Sequence, residues 1–114
     1  MTMAWNKYGA KKVTWNNMVF DSKHEYARYQ ALMLMVKAGL ISDLQRQVKY
    51  VLIPKQIRNN KVAERECSYI ADFVYKDTAT GETIVEDAKG IKTPEYRIKK
   101  KLMLWVHGLR IKEV

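Results

Sequence analysis

The stretch CSYIADFVYKDTATGETIVEDAKG, residues 67–90, decides the fold. Its outer runs, 67–75 and 83–89, are rich in β-branched and aromatic side chains, and the segment from Asp77 to Glu82 between them carries turn chemistry. This pattern predicts a β-hairpin. With residues 78–81 as the loop, Asp77 faces Glu82 and Tyr75 faces Ile84, so counting back along both strands sets Asp72 opposite Asp87. Side chains alternate between the faces of a strand, which places Lys89 on the face of the two aspartates and sends Glu86 to the other with Ile84 and Ala88.

Directly opposed carboxylates, with β-carbons about 5 Å apart, destabilise a sheet unless a cation or a shifted pKa compensates. A divalent metal resolves the conflict. Hard oxygen donors suit Mg²⁺ or Mn²⁺, ions that keep several waters and accept phosphate oxygens as further ligands. Phosphodiester chemistry is the expectation from this pattern, and the plain alternative is a solvated ion pair with Lys89, which a one-residue slip in register would leave.

Upstream, Tyr26, Tyr29, Leu32, Met33, Val36 and Leu40 recur at three- and four-residue spacing and Gly39 supplies a stop, which predicts a helix over 22–38. Residues 44–53 read as a strand closed by Pro54, and 55–65 as a basic, polar connection with Asn59-Asn60 as its turn signal. Downstream, Thr93-Pro94 is a helix cap followed by proline at the first helical position. Ile98, Leu102 and Trp105 then make one apolar stripe as far as Gly108; Trp5, Trp15 and Trp105 are all of a kind to stack on bases, but the stripe assigns Trp105 to the core. Residues 109–114 read as a last strand, and 1–20 as an irregular arm with at most a short extended stretch over 12–20. The expected architecture is a single α/β domain over 21–114: helix, three strands, helix, strand, with a mixed central sheet flanked by helices.

Twenty-one Lys and Arg against twelve Asp and Glu leave a charge of +9 on 114 residues, which points to a polyanionic partner, nucleic acid ahead of an anionic membrane surface. Lys92, Arg97, Lys99, Lys100 and Lys101 around the second helix, with Lys55, Arg58, Lys61 and Arg65 in the connection, are the candidate DNA contacts; each individually also fits a solvated charged face. No apolar run approaches the roughly 20 residues of a membrane span and the first nine residues lack a secretory stretch, so a cytoplasmic protein with no membrane partner is expected. The lone Cys67 excludes an internal disulfide and, with only His24 and His107 beside it, a structural zinc; it reads as a strand residue.

The run Ile70-Ala71-Asp72, followed by Val85-Glu86-Asp87-Ala88-Lys89-Gly90, resembles the bipartite motif of the PD-(D/E)xK nucleases in its D-x-K form, with Ala71 where the name-giving proline would stand. The element order over 22–114 resembles that family's restriction-endonuclease-like αβββαβ core. Asn6-Lys7-Tyr8-Gly9 and Phe20-Asp21-Ser22-Lys23-His24-Glu25 are similar to segments of small phage proteins of the same superfamily.

The resemblance implies a metal-dependent endonuclease in which Asp72, Asp87 and the backbone carbonyl of Ala88 hold Mg²⁺ or Mn²⁺ and Lys89 orients the attacking water. Glu25, from the first helix, would join the metal site as in members that act on branched DNA. It also fits a capping box with Ser22, although its helical spacing from Tyr29, Leu32 and Val36 turns it toward the sheet. Gln47 is either an accessory contact or an ordinary polar strand residue. The function implied is cleavage of branched DNA, resembling the Holliday junction resolvases, by a homodimer that uses the first helix or the arm as its interface. The alternatives are a phage nuclease that nicks or degrades duplex DNA, and a DNA-binding module of the same fold without activity.

Overall fold

The computed structural model describes residues 2–5, 11–88 and 92–114. Where an irregular arm is expected, three strands form an antiparallel meander: β1 (Thr2–Trp5), β2 (Lys11–Trp15) and β3 (Met18–Phe20). The turn between β2 and β3 is Asn16-Asn17, both left-handed (φ 52° and 64°), a hairpin geometry that asparagine tolerates better than most residues. Val13 and Phe20 are fully buried, and Phe20 meets Tyr26 and Tyr29 of the following helix at 5.3 Å. Aromatic packing against that helix folds this segment, and no short-range periodicity announces it.

Helix α1 (Lys23–Lys37) is capped by Ser22, whose hydroxyl accepts the Glu25 amide at 3.1 Å. Of its apolar stripe, Leu32 is fully buried while Met33 is 38% exposed. Strand β4 (Ile41–Ile53) begins earlier than Leu44, because a left-handed Asp43 (φ 55°) at a bulge lets the ladder run on through it. The basic connection is itself a hairpin, β5 (Gln56–Arg58) and β6 (Lys61–Glu64), turning at the left-handed pair Asn59-Asn60. All its residues are exposed.

The deciding hairpin forms from β7 (Cys67–Asp77) and β8 (Thr83–Asp87) with the expected register: Tyr75 opposes Ile84, Phe73 opposes Glu86, and Asp77 donates its N–H to the Glu82 carbonyl. Helix α2 (Pro94–Leu102) follows, capped by the Thr93 hydroxyl, and passes into a π-helical turn, Met103–His107, that ends on the left-handed Gly108 (φ 69°). Strand β9 (Ile111–Glu113) pairs parallel to β8, so the central sheet has the order β4-β7-β8-β9 and mixed orientation. Leu32, Ile41, Phe73 and Tyr75 pack under α1, and Leu52, Tyr69, Ala71, Val74, Val85, Tyr96, Met103 and Ile111 under α2. The protein is thus mixed α/β, with one helix on each face of a mixed sheet. Among the described residues no helix is long and apolar enough to cross a membrane.

Of the expected apolar stripe of α2, Leu102 packs against the core but Ile98 and Trp105 do not. Tyr96 and Met103 point inward, whereas Ile98 is 59% and Trp105 84% exposed. Counting apolar residues passes over Tyr96 and the Lys100 stem, which lie on the sheet side because their polar ends reach Glu113, at 2.8 Å and 3.1 Å.

Candidate functional site

The ladder between β4 and β7 opens at one step. Arg46 pairs with Phe73 and Val48 with Ala71, but the intervening Gln47 and Asp72 do not pair, and Gln47 is left-handed (φ 53°). A side chain of this size rarely adopts that conformation, and such residues cluster at functional sites. Across this step the alternation of faces reverses: Phe73 and Tyr75 belong to the core under α1, Ala71 and Tyr69 to the core under α2. The side-chain count back from the turn therefore holds as far as Phe73, where the β7–β8 pairing ends, and fails one residue later, although the register of β4 with β7 resumes at Ala71.

Asp72 consequently meets the N-terminal end of α1. Gln47 Nε2 donates to Asp72 Oδ1 at 3.4 Å and to Glu25 Oε1 at 3.2 Å, and the Ala88 N–H donates to Asp72 Oδ2 at 2.9 Å. The second Glu25 oxygen accepts the Asp21 N–H at 3.0 Å, so the glutamate reaches back to the backbone, as a capping residue does, and also faces the sheet. Asp21, Glu25 and Asp72 bring carboxylate oxygens within 4.8 Å of one another. Glu25 is only 2% exposed; burial first, and then the charge of Asp72, push its pKa up to about 7, against the smaller lowering effects of the Asp21 amide and the Arg46 guanidinium.

Arg46 ties the meander to this cluster. Its guanidinium lies 3.5 Å from Glu25 Oε1, stacks 4.0 Å over the Phe20 ring and donates to the Val19 carbonyl at 2.8 Å. Asp21 follows directly on Phe20 and is delivered by the same contacts. Sequence reasoning missed Asp21 as a site residue; its position inside the Phe20–Glu25 segment is the one signal that marks it.

Asp87, 1% exposed, accepts the Tyr69 hydroxyl on Oδ2 and is not a member of the three-carboxylate group. Burial and the Asp87 bond raise the Tyr69 pKa well above its ordinary value, which keeps the phenol a proton donor. On the opposite face Glu86 is fully buried and held by Arg28 through two bonds, 2.8 Å and 2.7 Å, with the Tyr75 hydroxyl as a third donor. Arg28 is one turn along α1 from Glu25, so this clamp fixes the helix that presents the glutamate. Lys89 lies outside the described residues.

The candidate DNA contacts divide by partner. Lys92 and Lys100 pair with Glu113 at 3.4 Å and 3.1 Å, and Lys99 with Glu95 at 3.1 Å. Arg97 and Lys101, together with Lys55, Arg58, Lys61 and Arg65 around the β5–β6 hairpin, are exposed and have no acidic partner among the described residues.

Fold and site define a mixed α/β domain with a carboxylate cluster where its first helix meets an opened step of the central sheet. Residues 5–110 match the family described as Protein of unknown function (DUF1064), and the chain belongs to that family. No curated protein and no solved structure matches it.

Proposed function

We propose that this protein is a metal-dependent endodeoxyribonuclease with a restriction-endonuclease-like αβββαβ core, acting on branched DNA as a homodimer. One observation carries the reading. Three carboxylates, Asp21 from the connection between β3 and α1, Glu25 from α1 and Asp72 from β7, converge at an opened ladder step. An all-oxygen donor set containing a buried glutamate that resists ionisation beside a second carboxylate fits a hard divalent cation, which would relieve that repulsion. Asp72 and Glu25, joined by Asp21 or Asp87 and the Ala88 carbonyl, would hold Mg²⁺ or Mn²⁺; when bound, the ion supplies polarisation of a phosphate oxygen and a more acidic water.

The chain's own groups prepare the site. Gln47 bridges Glu25 and Asp72 and fixes their separation, and the Ala88 N–H orients the Asp72 carboxylate. Tyr69 holds Asp87 in one orientation through its Oδ2. Lys89, two residues beyond Asp87, would orient the attacking water and offset charge on the reacting phosphate. The excess of nine positive charges favours the polyanion.

Incubation of a labelled four-way junction and the matching linear duplex with wild type, Asp72→Asn and Asp87→Asn, with Mg²⁺ and with EDTA, tests the reading. Wild type is expected to place symmetric nicks in the junction only with metal, while both variants bind it and cut at least about a hundredfold more slowly. Absence of cleavage with either metal, or equal cleavage by Asp72→Asn, would sink it.

A further inference from the structure

The outward face of α2 and the π turn carries a side chain that the carboxylate site does not use. Trp105 is 84% exposed on an element fixed on both sides of it. Two residues earlier Met103 is fully buried; two residues later the His107 ring bonds the Val51 carbonyl at 2.8 Å and meets Tyr50 edge-on at 5.3 Å. At about 100° per residue, Tyr96, Met103 and His107 share the inner face, Ile98, Lys101 and Trp105 the outer one, and Arg97 stands at its margin. The indole is therefore displayed by an anchored helix, in a π turn of the kind that recurs at functional sites.

The surroundings indicate what covers it. Between residues 92 and 112 there are seven Lys and Arg and one acidic residue, Glu95, and Lys101 on the outer face and Arg97 at its margin lack an acidic partner among the described residues. An exposed aromatic ring flanked by uncompensated cations matches single-stranded nucleic acid, in which a base stacks on the ring and neighbouring phosphates meet the cations. Duplex DNA offers no such base face, because its bases are stacked on one another.

We propose that Trp105 stacks on an unpaired base of DNA, with Lys101 and Arg97 holding the adjoining phosphates, so that the substrate contains a single-stranded or splayed segment. This rests on the reading of the carboxylate site as a DNA nuclease and names what that site receives. The indole lies on the surface, so its replacement leaves the packing of Met103 and His107 intact.

Fluorescence anisotropy in EDTA, with labelled oligothymidylate and with a blunt duplex, tests this on wild type, Trp105→Ala and Trp105→Phe, with thermal unfolding as the check on folding. Trp105→Ala is expected to weaken oligothymidylate binding by about tenfold with duplex binding unchanged, and phenylalanine to recover most of the loss. Equal affinity of wild type and Trp105→Ala for oligothymidylate overturns the proposal. Loss of self-association in Trp105→Ala, by sedimentation, with DNA affinity unchanged also overturns it and assigns the face to a second copy of the chain. Chelation separates this result from catalysis: Trp105-dependent binding by a protein that cuts nothing with Mg²⁺ removes the nuclease reading alone. Cleavage of junctions by a wild type that Trp105→Ala equals in binding and cutting removes the stacking alone.

Discussion

Glu25 ties the stability of the metal-free protein to pH in a direction unusual for a carboxylate. Its pKa stands at about 7 in the fold against 4.5 for the free side chain, so between those values the folded state retains a proton that the unfolded chain has released. The unfolded state then binds fewer protons, and stability falls as pH rises through this window and levels off above it. Urea unfolding in EDTA at pH 5 and pH 8 is expected to show a loss on the order of 1–3 kcal/mol at the higher pH. Asp72→Asn, which removes the second-largest cause of the shift, is expected to shrink that loss; an equal loss in the variant would mean that Asp72 does not act on Glu25. The buried pair on the other face gives a second outcome at this scale. Arg28→Met removes the guanidinium and both its bonds from the buried Glu86, and is expected to cost about 3–5 kcal/mol by chemical denaturation, with much of it regained when Glu86→Leu is added.

Among the elements, those governed by local rules were legible. The caps at Ser22 and Thr93, the stop at Gly108 and the register of β7 with β8 follow from short-range chemistry that the residues state directly. The turn of Glu25 toward the sheet was legible in its helical spacing from Tyr29, Leu32 and Val36, whereas its meeting with Asp72 across Gln47 was not. What was not legible depends on distant contacts. The left-handed Gln47 has no glycine to announce it, the meander that delivers Asp21 is folded by Phe20 against α1, and the inner face of α2 is set by Glu113 drawing Tyr96 and Lys100 inward. The β5–β6 hairpin illustrates the limit from the other side: Asn59-Asn60 marked its turn, but a ribbon exposed throughout buries no apolar stripe that could mark its strands. Such a ribbon should be separable from the fold. Replacement of residues 56–64 by a short glycine linker is expected to leave the unfolding midpoint nearly unchanged and to flatten the dependence of log affinity for duplex DNA on log salt by about 0.9 for each phosphate that the ribbon had neutralised. An unchanged slope would remove Arg58 and Lys61 from the DNA interface.

For the whole molecule, the two cores and the clamp between α1 and the sheet hold the carboxylates together before any ligand arrives, and their mutual repulsion is the condition a cation would relieve. Binding to the folded state alone raises stability by about 2.7 kcal/mol at a hundredfold excess over the dissociation constant. Thermal unfolding of wild type is therefore expected to shift upward by several degrees with Mn²⁺ or Mg²⁺ and not with Na⁺ at matched ionic strength, and Asp72→Asn to lose the shift. A midpoint indifferent to both divalent ions would argue against a metal site.

Strand β9 touches the site in a way that bears on how the protein is made. It lies parallel along β8, and beyond it the Val114 N–H bonds the Asp87 carbonyl while the His24 ring bonds the Val114 carbonyl at 2.8 Å. The strand bearing Asp87 thus gains its outer neighbour from residues synthesised some two dozen positions later, after the whole of α2. Until residues 111–114 have left the ribosome, β8 is an open edge and the hydrogen bonds at Asp87 and His24 are unmade. A nascent chain therefore carries Asp21, Glu25 and Asp72 before β8 has its outer neighbour, and the sheet edge beside Asp87 closes only once residues 111–114 have been made.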